Sequence, residues 1–236
     1  MAAHTALGAS RHGATKPMKL DEHYGAYLAS LLRGDHATCA RVVHQALAEG
    51  VAIAELYSDL FRASLYEVGE LWQSNRISVA TEHLATAITE SVMSQVVGPA
   101  LFGHEPIGRT LIVACVTNEY HQVGGRMVAD LAELQGWDTY FLGANTPLPD
   151  LLDLLADKRP DLLALSVAFY ANFPTLQGGI EAVRRRHPDL PIWLGGQMFR
   201  WGGQELAQAY PNLRLFQSLD DYQTGLQHFA GAAVRN

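Results

Sequence analysis

Apolar positions in the first hundred residues recur at helical spacing; beyond residue 109 they gather into short runs separated by helical stretches. Tyr24, Tyr27, Leu28, Leu31 and Leu32 form one stripe, ended by Gly34. Ala40, Val43, Ala46 and Leu47 form a second, ended by Gly50. Ile53, Leu56, Leu60, Leu65 and Val68 mark a third helix running towards Trp72. Ser78 is placed to cap a fourth, which carries Val79, Leu84, Ala87, Ile88, Val92 and Val96 and stops before Pro99. The stripes predict a compact four-helix bundle over residues 20–101. Residues 102–108, with Gly103, Pro106 and Gly108, read as a linker. Residues 1–19, rich in Ala, Gly, His and Thr without periodicity, read as a disordered tail.

The unbroken apolar run at residues 110–116 reads as a buried parallel strand. Later strands are expected at 138–142, 162–167, 191–194 and 214–216. Between and after them, one helix opens at Gly124 and Gly125 and closes at Gly136, and others cover 148–158, 175–186, 204–209 and 219–231. Residues 109–236 are therefore expected to form a Rossmann-like, flavodoxin-like domain with a five-stranded parallel sheet. Together the two parts make an α + α/β chain. The segment Glu119-Tyr120-His121-Gln122-Val123-Gly124 falls in the loop at the carboxyl end of the first strand, the edge where open α/β sheets bind ligands.

Composition changes this picture mainly by exclusion. The chain is 48% hydrophobic and 17% charged, ample for a sizeable core. Its net charge of −7 is spread evenly, with 7 basic and 11 acidic residues in 1–107 and 10 and 13 in 108–236. No region carries the basic footprint of a nucleic-acid binder, and Arg184-Arg185-Arg186 reads as a solvated helix end, where cations are favoured. Cys39 and Cys115 lie in different segments, form no metal-ligand pair and indicate a reducing compartment. No signal-peptide core and no membrane-length apolar run is present, so a cytoplasmic location is the expectation.

The sequence E-x-H-x-x-G at 119–124 resembles the cobalamin-binding signature of the methionine-synthase type. That family adds S-x-L and G-G elements, and both have counterparts at the family's spacing. Residues 125–165, 41 in all, separate Gly124 from Ser166-Val167-Ala168; 26 more separate Ala168 from Gly195-Gly196. Ala168 stands where the family usually has leucine. The resemblance implies that His121 is the lower cobalt ligand, replacing the cofactor's dimethylbenzimidazole, and that the displaced nucleotide tail is threaded beside the Ser and Gly-Gly elements. It implies cofactor contacts at Glu119, Tyr120, Gln122, Val123, Gly124, Gly125, Ser166, Ala168, Gly195 and Gly196. The residue types suit that chemistry. Neutral imidazole is a good cobalt ligand, a carboxylate two residues away can accept its other N–H, and glycines let backbone approach a bulky group.

The bundle holds a second signature, Val68-Gly69-Glu70-Leu71-Trp72 followed by Ile77-Ser78-Val79-Ala80-Thr81-Glu82-His83. It is similar to the helical cap of corrinoid proteins. Trp72, nine residues, then Glu82-His83 resembles the motif of cobalamin photoreceptors of the CarH and LitR type, in which the bundle covers the upper corrin face and Trp, Glu and His surround an adenosyl ligand. An indole fills space beside such a group and a carboxylate accepts from ribose hydroxyls. The same residues also have structural roles open to them: Trp72 in the bundle core, Glu82 as a helix N-terminal charge, His83 at an interface. Two departures stand out. The chain has no helix-turn-helix, and Gln73 stands where the CarH type has a histidine that takes cobalt in the light, leaving His83 as the candidate upper ligand after illumination.

The resemblance implies a non-enzymatic, light-regulated adaptor of the stand-alone AerR-like or photocobilin-like kind, acting on a separate regulatory or effector protein, with homodimers allowed. The expected cofactor is adenosylcobalamin, with hydroxo- and methylcobalamin as other forms and a bilin as a further chromophore. The alternative, from another class, is a corrinoid carrier that shuttles methyl groups between methyltransferases. Even negative charge offers no surface for releasing phosphate counterions. The chain is therefore expected not to retard duplex DNA at low salt in a gel-shift assay.

Overall fold

The computed structural model describes residues 19–101 and 105–232. The tail expected at 1–19 falls outside the described residues except Lys19, and so do residues 102–104 of the linker expected at 102–108. The fold is a helical bundle followed by a five-stranded parallel sheet flanked by helices on both faces.

Helices α1 (Lys19–Leu32) and α2 (His36–Ala48) form an antiparallel pair, α2 capped by the Asp35 carboxylate accepting from the Thr38 N–H at 3.0 Å. The third helix is not uniform. It starts as α3 (Ile53–Glu55), widens into a π-helical segment at Leu56–Phe61, and continues as α4 (Arg62–Gln73). The wider turn, in which the Arg62 N–H reaches back to the Tyr57 carbonyl, puts Leu56, Tyr57, Leu60 and Phe61 all in the core. Asn75, at φ 57°, reverses the chain, and Ser78 caps α5 (Val79–Ala100) by accepting from the Thr81 N–H. The helix does not stop before Pro99 as the sequence predicts. Proline forfeits one donor at the last turn, and the Leu101 N–H to Val97 carbonyl bond carries the helix past it.

The sheet comprises β1 (Thr110–Cys115), β2 (Asp138–Phe141), β3 (Leu162–Ser166), β4 (Ile192–Gly195) and β5 (Leu213–Leu215), in the order β2-β1-β3-β4-β5. All four pairings are parallel. Strand β5 starts one residue earlier than its apolar pattern indicates. The crossover helices are α6 (Val123–Glu133), α7 (Leu148–Lys158), α8 (Phe173–Arg186) and the short α9 (Leu206–Ala209), and α10 (Leu219–Ala232) closes the chain. Alternation along the strands divides the core. Leu111, Val113, Leu162, Ala164, Trp193 and Phe216 face α6, α10 and the bundle in one continuous apolar cluster. Ile112, Ala114, Leu163, Leu165, Ile192 and Leu194 face α7, α8 and α9. The order reverses between β1 and β3, so the crevice at their carboxyl ends is the switch point of the sheet.

The expected solvated helix end holds at Arg185 and Arg186, which are exposed, but not at Arg184. Arg184 is not a freely solvated helix end: its guanidinium donates to the carbonyls of Pro188, Leu190, Pro211 and Asn212, tying the loops before β4 and β5 to α8. Its fork of donors finds backbone acceptors within reach, which a charge count does not reveal.

Among the described residues, bundle and sheet are joined by a fully buried polar link within the shared apolar cluster. The Tyr57 hydroxyl donates to Asp130 Oδ2 at 2.7 Å, and Arg126 Nε donates to Oδ1 at 2.6 Å. Asp130 is only 1% exposed. Tyr57→Phe leaves a buried carboxylate short of a donor. It is expected to cost about 1–3 kcal/mol of unfolding free energy, measured by denaturant titration, with the secondary structure unchanged.

Candidate functional site

The loop after β1 is pinned before it reaches the histidine. Asn118 and Asn145 sit in the left-handed region, at φ 67° and 50°, where asparagine is tolerated best among residues with a side chain. The Asn118 N–H donates to Asn145 Oδ1 at 2.8 Å, and the Asn145 N–H to the Glu119 carbonyl at 2.7 Å. The β1 and β2 loops are thereby locked together, and Glu119 is directed into the protein.

Glu119 has no exposed surface. Its Oε1 accepts from the His121 backbone N–H at 2.9 Å and from His121 Nδ1 at 2.6 Å. Its Oε2 accepts from the N–H groups of Ala168 and Phe169, at 2.9 and 3.0 Å, and from Asn172 Nδ2 at 3.1 Å. Burial alone would push the carboxyl pKa up. The bonds from the His121 ring and N–H, the Phe169 N–H and Asn172 outweigh it and hold the group at about 2. The imidazole pKa is raised, chiefly by its bond to Glu119, against the opposing effect of burial and with added help from the charges of Glu119 and Glu82. The bonding pattern assigns the neutral ring's proton to Nδ1. The Nε2 lone pair is then free, on a ring whose side chain is 60% exposed. The arrangement is a metal-ligand geometry: a histidine oriented by a buried carboxylate and open on its outer nitrogen.

The remaining motif residues cluster around it unequally. Ser166 pairs with Cys115 across β1 and β3 and with Gly195 across β3 and β4, a row along the carboxyl edge. Its hydroxyl lies beside the Cys115 thiol, whose pKa burial raises to about 12. Gly124 borders Ser166, and a Cβ on Gly125 would press on Phe141, Cys115 and Ser166 at 3.1–3.5 Å, so glycine lets α6 lie close to the sheet. Gly196, at φ +119°, passes so near Val167 that a Cβ would fall 2.1 Å from its carbonyl oxygen. Ala168 is placed by its N–H on Glu119. Tyr120 is exposed, whereas Val123 turns inward, because as the first residue of α6 it packs into the cluster shared with the bundle. Phe169, which belongs to neither sequence motif, lies parallel to the His121 ring at 6.3 Å.

The bundle reaches this edge at three points. Gln122 Nε2 donates to Glu90 Oε1 on α5 at 2.9 Å, while its Oε1 accepts from the Ala144 N–H. Glu82, two turns before Glu90 on the same face of α5, lies near enough to act on the His121 charge. The Arg200 guanidinium, just after β4, sits 5.2 Å over the Tyr66 ring on α4. Trp72 is 41% exposed rather than buried in the bundle. His83 bonds Glu82 through Nδ1 at 2.6 Å, with its side chain 75% exposed. Glu119, His121 and Glu82 are thus brought together, while His83 points to solvent. Asn172, Asn145 and Glu90 have no signal in the sequence, since each is a lone polar residue in a loop or on a helix.

The depressed Glu119 pKa carries a testable sign. The folded state binds its proton more weakly than an unfolded chain with an ordinary value near 4.5. Its contribution to stability is complete above that value and is lost as pH falls towards about 2. His121 is charged in both states throughout that window. The loss, on the order of 3 kcal/mol, is expected in acid denaturation of the cofactor-free protein, and Glu119→Gln should flatten the profile between these pH values.

Residues 109–213 match the family described as B12 binding domain, and residues 25–96 match a second family of the same description. The HTH-type transcriptional repressor CarA of Myxococcus xanthus is 30% identical over 208 residues, 79% of this chain and 66% of the repressor. CarH of the same organism is 27% identical over 145 residues, 61% and 48% of the two chains. This chain therefore spans between about half and two thirds of those relatives. Trimethylamine corrinoid protein 1 of Methanosarcina acetivorans is 25% identical over 136 residues, 56% of this chain and 62% of that one. Among solved structures, the Methanosarcina barkeri monomethylamine corrinoid protein shares the fold, with a TM-score of 0.73 over 88% of this chain and 99% of that one at 13% identity. With one B12 binding domain in its bundle and another in its sheet, the chain belongs to the B12-binding proteins, as a CarH-like, cobalamin-binding member.

Proposed function

We propose that this protein is a cobalamin-dependent light sensor that acts on a separate regulatory protein. The observation that supports the reading is Trp72 of the bundle motif left exposed, with Glu82 of the same motif close enough for its charge to bear on His121. A bundle serving only as scaffold would gain by burying that indole.

The residues present fit the cofactor. His121 offers a free Nε2 with its other nitrogen clamped, the donor chemistry of a cobalt ligand. Ser166, Gly124, Gly195 and Gly196 would hold the nucleotide tail along the carboxyl edge, and Tyr120, Gln122 and Ala168 border it. When bound, adenosylcobalamin supplies a visible-absorbing corrin and a photolabile cobalt–carbon bond. The chain's own part is to hold that group between two surfaces and change when its upper side changes. Glu119 keeps the His121 ring in one orientation. Glu82 would accept hydrogen bonds from the upper ligand, and Trp72 would pack beside it. Loss of that ligand would remove the partner of both, and the bundle would repack against the sheet, presenting a changed surface to an effector protein. Gln73 carries an amide, a poor cobalt ligand, so His83 would be the candidate bundle imidazole for the cobalt after illumination.

A second reading, a corrinoid methyl carrier, draws on the relatedness to trimethylamine corrinoid proteins. A carrier must open its upper face to two enzymes, and the Trp72 and Glu82 placement argues against it. The test is the absorption spectrum of protein loaded with adenosylcobalamin, before and after green light. The sensor reading expects a light-dependent spectral change accompanied by a change in protein conformation seen by small-angle scattering. A conformation indifferent to light would sink it. His121→Ala is expected to remove histidine coordination and weaken binding at least tenfold, with the fold intact; an unchanged bound spectrum would exclude His121 as the ligand.

A further inference from the structure

The carboxylate that orients His121 is itself oriented, and the residue that does so belongs to neither cobalamin signature. We infer that Asn172 is the positioning residue that fixes Glu119, and through it the ring of His121, for cobalt. This rests on His121 being the axial ligand.

Three donors meet Glu119 Oε2. Two are the backbone N–H groups of Ala168 and Phe169, which nearly any residue would supply. The third, and the only side chain among them, is Asn172 Nδ2 at 3.1 Å. The same NH₂ group donates to the Asn118 carbonyl at 3.2 Å, so one amide ties the start of α8 to the loop immediately before the ligand. Ser166 does not occupy this place; its hydroxyl lies beside Cys115 and Gly124.

The orientation of Asn172 is not the one its own helix favours. It is the N-cap residue of α8, where an asparagine side chain normally accepts from an N–H in the first turn. Here it makes no cap bond, and Pro174, lacking an N–H, occupies that first turn. The amide is turned outwards and used as a donor to the buried carboxylate. Stability of α8 alone does not account for that choice. With five donors on its two oxygens, Glu119 has one orientation available, and Oε1 is held against His121 Nδ1. Without Asn172, Oε2 keeps only the loop's backbone donors, and the carboxylate can rotate away from the ring.

Asn172→Asp keeps the size and shape of the side chain but turns an acceptor towards Glu119 Oε2. Asn172→Ala serves as the second variant should the aspartate fail to fold. Each is loaded with cobalamin alongside wild type and His121→Ala, and affinity and the histidine-ligated absorption spectrum are recorded. Imidazole nitrogen NMR of the cofactor-free proteins, with the ring neutral, reports the His121 tautomer. We expect about tenfold weaker binding for the alanine variant and more for the aspartate, a shift of the bound population away from histidine ligation, and loss of the single Nδ1–H tautomer. If His121→Ala abolishes the histidine-ligated spectrum while both Asn172 variants keep it at wild-type affinity, the inference about Asn172 is overturned and the ligand stands. If His121→Ala leaves the spectrum unchanged, the ligand assignment itself fails and this inference with it.

Discussion

A carboxylate with no contact with water organises the carboxyl edge of this sheet. Burying Glu119 ionised is tolerable only if its oxygens are saturated with donors. The chain meets that demand from two loops far apart in sequence, the turn holding His121 and the turn from Ala168 to Asn172. Those loops leave β1 and β3, the neighbouring strands at which the sheet order reverses. The charge requirement and the topology thus coincide: the crevice exists because of strand order, and its shape is fixed because one anion within it must be surrounded.

Much of this arrangement is legible in the residues themselves. Periodic stripes disclose four helices because each buries one face, and the strands stand out because both faces of the sheet are covered. Glu119, His121, Ser166 and the Gly195-Gly196 pair are readable because their types and spacing recur together. The features that stay hidden depend on partners brought close only by folding. Asn172 gains meaning from a carboxylate 53 positions away, and Arg184 from carbonyls in two later loops. The π-helical widening at Leu56–Phe61 is invisible for another reason: one extra residue in a turn leaves the apolar count unchanged while rotating the rest of the helix. Pro99 misleads because a proline's cost is small where a helix is already ending.

The two faces of the bundle–sheet junction differ in kind. Away from the histidine it is apolar and closed around Tyr57 and Asp130. Towards the histidine it turns polar, through Gln122 with Glu90, and then exposed, at the outer nitrogen of His121. Such a gradient suits a bulky, partly polar guest: the closed end keeps the parts in register, and the open end leaves surface that only a guest would cover.

The closed end also limits how the molecule can move. Tyr57 lies in the π-helical segment and Asp130 near the far end of α6, roughly two helical turns from the first residue after the ligand loop. Pulling the two parts straight apart would strand a carboxylate and an apolar face at once. A relative movement of bundle and sheet that keeps the Tyr57–Asp130 bond is therefore confined to rotation about that contact.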